Sequence, residues 1–298
     1  MAKSITIGTR SSPLALTQTE LARAALLRVY PALDVRIAKI TTSGDQKPDF
    51  PLLKQTLAGV KGLFTKELEE ALLRGEIDLA VHSCKDLPGE MLPGLRLAAV
   101  LERASTADIL ITKTAGPLPH GATIGTCSLR RARQLQWRRP DLVIEDIRGN
   151  IATRLRKLCE TAALHGIVLA QAGLDRLGYR MENGSLETDE GTFAAVDAKI
   201  LPAIGQGAIA LQSRAEDASF FTSLNHEPTW QAVRAERELM RLLNGDCTLP
   251  LGVATEIVEG QIQMRAHLFG PTEAPPRQAE VTGDTPETVA ARAFELLI

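Results

Sequence analysis

The chain has 298 residues, with 34 Lys and Arg against 36 Asp and Glu for a formal net charge of −2, and it is 44% hydrophobic and 23% charged. That length suits two or three domains, and the composition is that of a globular protein with a sizeable core. The opening MAKSITIGTR has no apolar signal core, no run reaches membrane-spanning length and the chain as a whole is not basic, so a soluble cytoplasmic protein with no membrane or nucleic-acid partner is expected.

Ser4–Ile7 is a short β-branched run, and Gly8–Pro13 leads into a helical pattern that lasts to about Arg28. Ser12 is a natural N-cap with Pro13 at the first helical position. A strand–turn–helix with Arg10 and Ser12 at the turn suits an anion. A strand at Val35–Thr42 ends in Ser43-Gly44-Asp45, and Gln46–Val60, with neither strand nor helix period, reads as a loop over a site. Phe64–Arg74 is a helix with Leu68, Ala71 and Leu72 on one face, closed by Gly75.

Asp78–Val81 reads as a buried strand followed by His82-Ser83-Cys84-Lys85-Asp86-Leu87-Pro88. Polar groups crowded at the carboxyl end of a buried strand are where open α/β sheets place ligand chemistry. A surface turn with a weak Lys–Asp pair is the plainer alternative. Strands at Leu95–Val100 and Ile109–Thr112 bracket a crossing segment between domains, Leu101–Ala107.

From Thr123 the pattern restarts: strand, helix capped by Ser128, strand Leu142–Ile147, helix capped by Asn150, strand Ile167–Ala170, short helix from Gly173. Such alternation predicts a mostly parallel sheet covered on both faces. Within it, Gly125–Lys157 holds nine Lys or Arg against three acids, a net of +6 in a chain of −2. Arg presents a planar fork that matches carboxylate or phosphate, and helix starts already attract anions, so a pocket for a polyanionic small molecule is expected. Arg133, Arg138 and Arg139 fit a solvated face instead.

Pro202–Gln212 is glycine-rich and then strand-like, a return to the first domain. After Asn225 come one amphipathic helix (Trp230–Leu243), a loop Asn244–Gly252, two alternating strands (Val253–Val258, Gln261–Leu268) and a final helix, which read as a small α+β domain. Cys84, Cys127, Cys159 and Cys247 form no C-x-x-C pair and the five His show no ligand spacing, which argues against a disulfide framework and against a metal. Cys247 lies in a Gly- and Pro-framed loop, which favours an accessible thiol, while the neighbouring Asp246 opposes its ionisation.

Taken in order, TRSSPLALTQ (9–18), GLFTKELEEALL (62–73), DLAVHSCKDLP (78–88), IGTCSLRRARQL (124–135), RRPDL (138–142), IRGNIATRLRKL (147–158), AGLDRLG (172–178), PAIGQGA (202–208) and the Cys247 loop resemble the porphobilinogen deaminase (hydroxymethylbilane synthase) family almost end to end. The resemblance implies an α/β fold of two periplasmic-binding-protein-like lobes with mixed, mostly parallel sheets plus a small α+β C-terminal domain, with the active site in the cleft between the lobes. The expected division is residues 1–101 with 202–219, 106–198, and 225–298. It further implies a monomer that joins porphobilinogen units head to tail with loss of ammonia on a covalent dipyrromethane cofactor, then releases hydroxymethylbilane by hydrolysis. By the same resemblance Cys247 is the thioether attachment and Asp86 the catalytic carboxylate that stabilises the cationic azafulvene. Lys85, Ser83, Thr126, Ser128, Arg130 and Arg131 would hold the cofactor, and Arg10, Ser12, Arg148, Arg154 and Arg176 the substrate. Three departures stand out: Asp246 where the family has Gly, with Thr248-Leu249 also unusual; a longer Gln46–Val60 loop, which leaves the family's loop lysine open between Lys54 and Lys61; and an early C-terminus. The alternative is a non-catalytic two-lobed module that binds carboxylates.

Overall fold

The computed structural model describes residues 4–42, 65–245, 249–270 and 274–298. The expectations for Gln46–Val60, Lys54, Lys61, Asp246, Cys247 and Thr248 fall outside those residues.

The chain enters on β1 (Ser4–Thr9), with Ile5 and Ile7 buried, and turns at Ser12 into α1 (Pro13–Val29). Ser12 stays extended and its hydroxyl accepts the amide of Ala15, while Pro13 at the helix start gives up no helical hydrogen bond. β2 (Asp34–Lys39), α2 (Lys66–Leu73), β3 (Leu79–Ser83) and β4 (Leu95–Val100) follow. The next stretch runs β5 (Asp108–Thr112), β6 (Thr123–Gly125), α3 (Leu129–Arg138), β7 (Val143–Glu145), α4 (Ile151–Glu160), β8 (Leu164–Ala170) and α5 (Gln171–Arg176). It closes with the meander β9 (Met181–Glu182), β10 (Ser185–Thr188) and β11 (Gly191–Asp197). β12 (Ile209–Arg214) and the short α6 (Ala218–Phe221) lead to the C-terminal part: α7 (Glu227–Leu242), β13 (Leu251–Val258), β14 (Gln261–Leu268), β15 (Arg277–Gly283) and α8 (Pro286–Leu297).

Two large mixed sheets result, ordered β2-β1-β3-β12-β4 and β7-β6-β8-β5-β11-β10-β9. Each builds the same core: a first strand flanked in parallel by the second and third, then one antiparallel strand, then a fourth. The antiparallel member in each case, β12 or β5, is the strand reached just after the chain crosses from the other lobe. Residues 101–107 and 198–208 are those crossings, so the lobes are joined by two strands of chain. The third sheet, β13-β14-β15, is antiparallel and packs Val253, Met264 and Ala266 against Leu239 of α7 and Val289 and Ala293 of α8.

β3 runs further than its apolar run suggests, taking in His82 and Ser83, because Ile209 and Ala210 of β12 pair opposite them. β9 to β11 and β15 carry too little apolar alternation to be read from sequence. Asn183-Gly184 does mark the β9–β10 turn, both with positive φ (51° and 76°), the geometry a tight hairpin needs.

Candidate active site

The carboxyl end of β3, central in the first sheet, delivers a single 3-10 turn, Cys84–Asp86. The turn is pinned at its start, where the Cys84 amide donates to Ala208 O at 3.0 Å, and closed by the Leu87 amide on Cys84 O at 3.2 Å. Ser83 is committed to α1: its hydroxyl and the Gln18 side-chain amide exchange hydrogen bonds at 2.9 and 3.1 Å. Behind it, His82 Nε2 meets Gln212 Oε1 at 3.0 Å, and Gln212 Nε2 donates to Glu69 at 3.0 Å, so the imidazole nitrogen facing Gln212 is the donor. Burial pushes His82 down to about 4 and the Cys84 thiol up to about 11, so both are neutral at pH 7. Neither is a proton carrier there.

Lys85 and Asp86 are half-buried on the turn. Burial, and then the Arg131 guanidinium, push the Lys85 ammonium down to about 8, opposed by Asp86 and Asp108. Lys85 of the first lobe thus stands within electrostatic reach of the start of α3 in the second.

At that start Ser128 caps α3 through the Arg131 amide (3.4 Å), and Thr126 Oγ1 accepts the Ser128 amide (3.2 Å). Both hydroxyls therefore serve the backbone first. Arg130 and Arg131 are buried and share a single carboxylate: Asp108 Oδ2 takes Arg130 Nη2 at 2.8 Å, and Oδ1 takes Arg131 Nη2 at 2.7 Å and Nε at 3.1 Å. Gln206 of the second crossing adds a donor to Asp108 at 3.0 Å. Burial works against the Asp108 charge, but the two guanidiniums outweigh it and hold the carboxyl well below the usual carboxylate range. The trio carries a net +1.

The remaining arginines differ. Arg148 lies 3.5 Å from Asp146 without a hydrogen bond, and its Nε and Nη2 are buried with no hydrogen-bond partner. Arg154, on α4 capped by Asn150, spends Nε on Gly149 O at 2.8 Å and points Nη2 at Cys127 Sγ, 4.0 Å away. Arg176 at the end of α5 donates to Gly207 O at 2.6 Å. Burial lowers the pKa of Arg154 and Arg176. Arg131 and Arg148 both repel Arg154, which puts these three in one cluster.

Lys85, Arg130, Arg131, Arg148 and Arg154 thus lie within electrostatic reach of one another. Arg10 follows β1 and bears electrostatically on His82, Ser12 caps α1, and Cys247 lies outside the described residues. Arg138 and Arg139 sit towards solvent as expected, Arg139 paired with Asp141 at 2.7 Å. Sequence reasoning passed over Asp108, Gln206 and Gln18, which hold Arg130, Arg131 and Ser83 in place. Among the described residues no group of three His, Cys, Asp or Glu converges on a metal site, and no helix is long and apolar enough to cross a membrane.

Residues 5–222 match the model of the porphobilinogen deaminase, dipyromethane cofactor binding domain, and residues 230–297 that of the porphobilinogen deaminase C-terminal domain. The chain is 42% identical over 301 residues to a porphobilinogen deaminase of Desulfitobacterium hafniense, covering 99% of this chain and 94% of that protein. It is 43% identical over 289 residues to one of Syntrophus aciditrophicus (95% and 90%), and 44% identical over 267 residues to one of Shouchella clausii (87% and 82%). A distant likeness to the methionine-binding protein MetQ has a TM-score of 0.43 at 13% identity, covering 78% of this chain and 94% of that one. Two domain models that together take in nearly all of the chain, and full-length relatives above 40% identity, make it a member of the porphobilinogen deaminase family.

Proposed function

We propose that porphobilinogen is condensed in the cleft between the two lobes, with Asp86 at the reacting rings and the second lobe's arginines on their carboxylates. The observation that carries this reading is a charge imbalance. Arg148, Arg154 and Arg176 are desolvated cations, and none hydrogen-bonds a carboxylate among the described residues. Asp146 and Asp175 offset these charges only in part, and a cation taken out of water with too little counter-charge is costly, so a site that keeps several suits an anion that arrives from outside. The acetate and propionate arms of a pyrrole supply such anions.

The same demand fits a dipyrromethane cofactor. Lys85, Arg131 and Arg130, whose Nε is buried without a hydrogen-bond partner, would take its carboxylates, and Cys247 would hold it by a thioether. When bound, that group supplies the primer to which substrate rings are joined. Ser83, Thr126 and Ser128 support the pocket by fixing α1, β3 and α3, and Arg10 and Ser12 line the first lobe's side.

Asp86 accepts hydrogen bonds from the substrate's pyrrole N–H. As ammonia leaves, the remaining ring is cationic, and a fixed carboxylate stabilises it more than water would in a desolvated cleft. The same carboxylate takes up the proton released when the new carbon–carbon bond restores aromaticity. The reading includes a cytoplasmic monomer acting on small molecules, with no nucleic-acid or membrane partner; sizing by light scattering tests the monomer.

Intact-protein mass with peptide mapping around Cys247 tests the function. An added mass of two linked pyrrole units on that cysteine is expected, at once or after incubation with porphobilinogen. A thiol that stays bare after incubation would turn the reading towards a carboxylate-binding module.

A further inference from the structure

Arg237 is more than nine-tenths buried on α7 and pairs with no carboxylate among the described residues. Its Nη2 donates to two backbone carbonyls, Pro88 O at 2.8 Å and Gly89 O at 3.2 Å, and its Nη1 is buried without a hydrogen-bond partner. Those carbonyls belong to the second and third residues after the end of the 3-10 turn that presents Asp86. Two neighbours fix the same spot. Val233, one turn earlier on α7, packs with Cys84 and Leu87. Gly89 approaches the chain beyond α7 so closely that a Cβ there would sit 3.2 Å from Gly245 O.

A methionine or leucine would fill this volume without burying an uncompensated charge, and on stability alone would serve better. What only a guanidinium supplies is a rigid, two-carbonyl grip on the exit of the turn. With Ala208 O holding the Cys84 amide at the entrance, the turn is gripped at both ends.

We infer that Arg237 is a positioning residue for the deaminase reaction: from the C-terminal domain it fixes the segment after Asp86, and so sets where the Asp86 carboxylate stands in the cleft. The inference rests on the assignment of Asp86 made above.

The test is a double-mutant cycle on the holoenzyme, with Asp86→Asn, Arg237→Met, and both together, read as kcat, KM and melting temperature. Arg237→Met is expected to lower kcat at least tenfold with KM changed less than about threefold and no loss of melting temperature. In the Asp86→Asn background it should cost nothing further, because a residue that acts only through Asp86 has nothing left to position. Losses that multiply in the double variant overturn the inference while leaving Asp86 in its role. Undiminished turnover in Asp86→Asn alone overturns the assignment of Asp86 and the inference with it. Should Arg237→Met not fold, Arg237→Lys, which keeps the charge but offers one point donor, is expected to fold and lose about threefold or more in kcat. Wild-type kcat in that variant overturns the proposal.

Discussion

Glu236, fully enclosed on α7, meets Arg103 of the first crossing segment through both carboxylate oxygens, at 2.7 and 3.1 Å. Its Oε2 also takes the amide of Gly205 in the second crossing at 2.7 Å, and Arg103 Nε donates to Gln206 O at 2.8 Å. One carboxylate of the C-terminal domain therefore ties together both strands of chain that join the lobes. Removing it strands a guanidinium that is 11% exposed. Glu236→Ala should lose about 3–5 kcal/mol, a fall in melting temperature on the order of 10 °C by calorimetry. A fall within a degree or two would show that water substitutes for the carboxylate.

The cations that hydrogen-bond no carboxylate lead to the opposite expectation for stability. Arg154→Leu removes a desolvated charge that hydrogen-bonds no carboxylate and that Asp146 offsets only in part, so the unliganded protein should be as stable as the parent or more so. Its KM for porphobilinogen should rise about 10- to 100-fold, the weight of one charge-assisted hydrogen bond to a carboxylate. Steady-state kinetics and a melting curve on the same sample check both halves. An unchanged KM would remove Arg154 from the substrate's carboxylate sites.

How far the sequence reached follows from the range of each interaction. Ser12, Ser128 and Asn150 were legible as helix caps because a cap bonds an amide three residues on, and each does so here. The clustered positive charge at 125–157 was legible because charge is additive along a chain. The sharing of Asp108 between Arg130 and Arg131 was not, since the carboxylate is 22 and 23 residues away and arrives only when β5 pairs with β8. That Arg130 and Arg131 share one carboxylate, whereas arginines 148, 154 and 176 hydrogen-bond none among the described residues, is invisible until the chain is folded. Glu236 and Arg103, 133 residues apart, belong to the same class.

Lys85 gives the site a pH dependence of definite sign. Its pKa of about 8 lies below the ordinary value of 10.5, burial being the first cause and the Arg131 charge the second. Between those values the unfolded chain holds the proton and the folded chain has lost it, so this group makes stability rise with pH across that window and leaves its desolvation penalty in place below pH 8. Binding runs the other way: the ammonium is available to a carboxylate below pH 8 and is lost above it. KM should therefore climb as pH passes 8, with kcat less affected. Lys85→Met should give a KM that is high and flat across the same range. A KM–pH profile that keeps its break in Lys85→Met would assign the titration to another group.

Gly207 shows how closely the two crossings touch. Its φ is +85°, and a Cβ there would stand 2.4 Å from Ala104 O and 2.9 Å from Ser105 O, both on the other crossing. Its own carbonyl receives the Ala104 amide at 3.2 Å and the Arg176 guanidinium at 2.6 Å. An alanine must wedge the crossings apart and carry that carbonyl with it, so backbone strain adds to overpacking for about 2–4 kcal/mol. Gly178 is the control: its φ of +83° is equally unsuited to alanine, but nothing lies within 4 Å of its would-be Cβ, so Gly178→Ala should cost only about 1 kcal/mol. Urea unfolding separates the two variants. Gly207→Ala should also raise KM, because Arg176 loses its anchor, while Gly178→Ala should leave it unchanged. Equal costs in the two variants would mean that the crossings yield freely at Gly207, and that the lobes are not braced there.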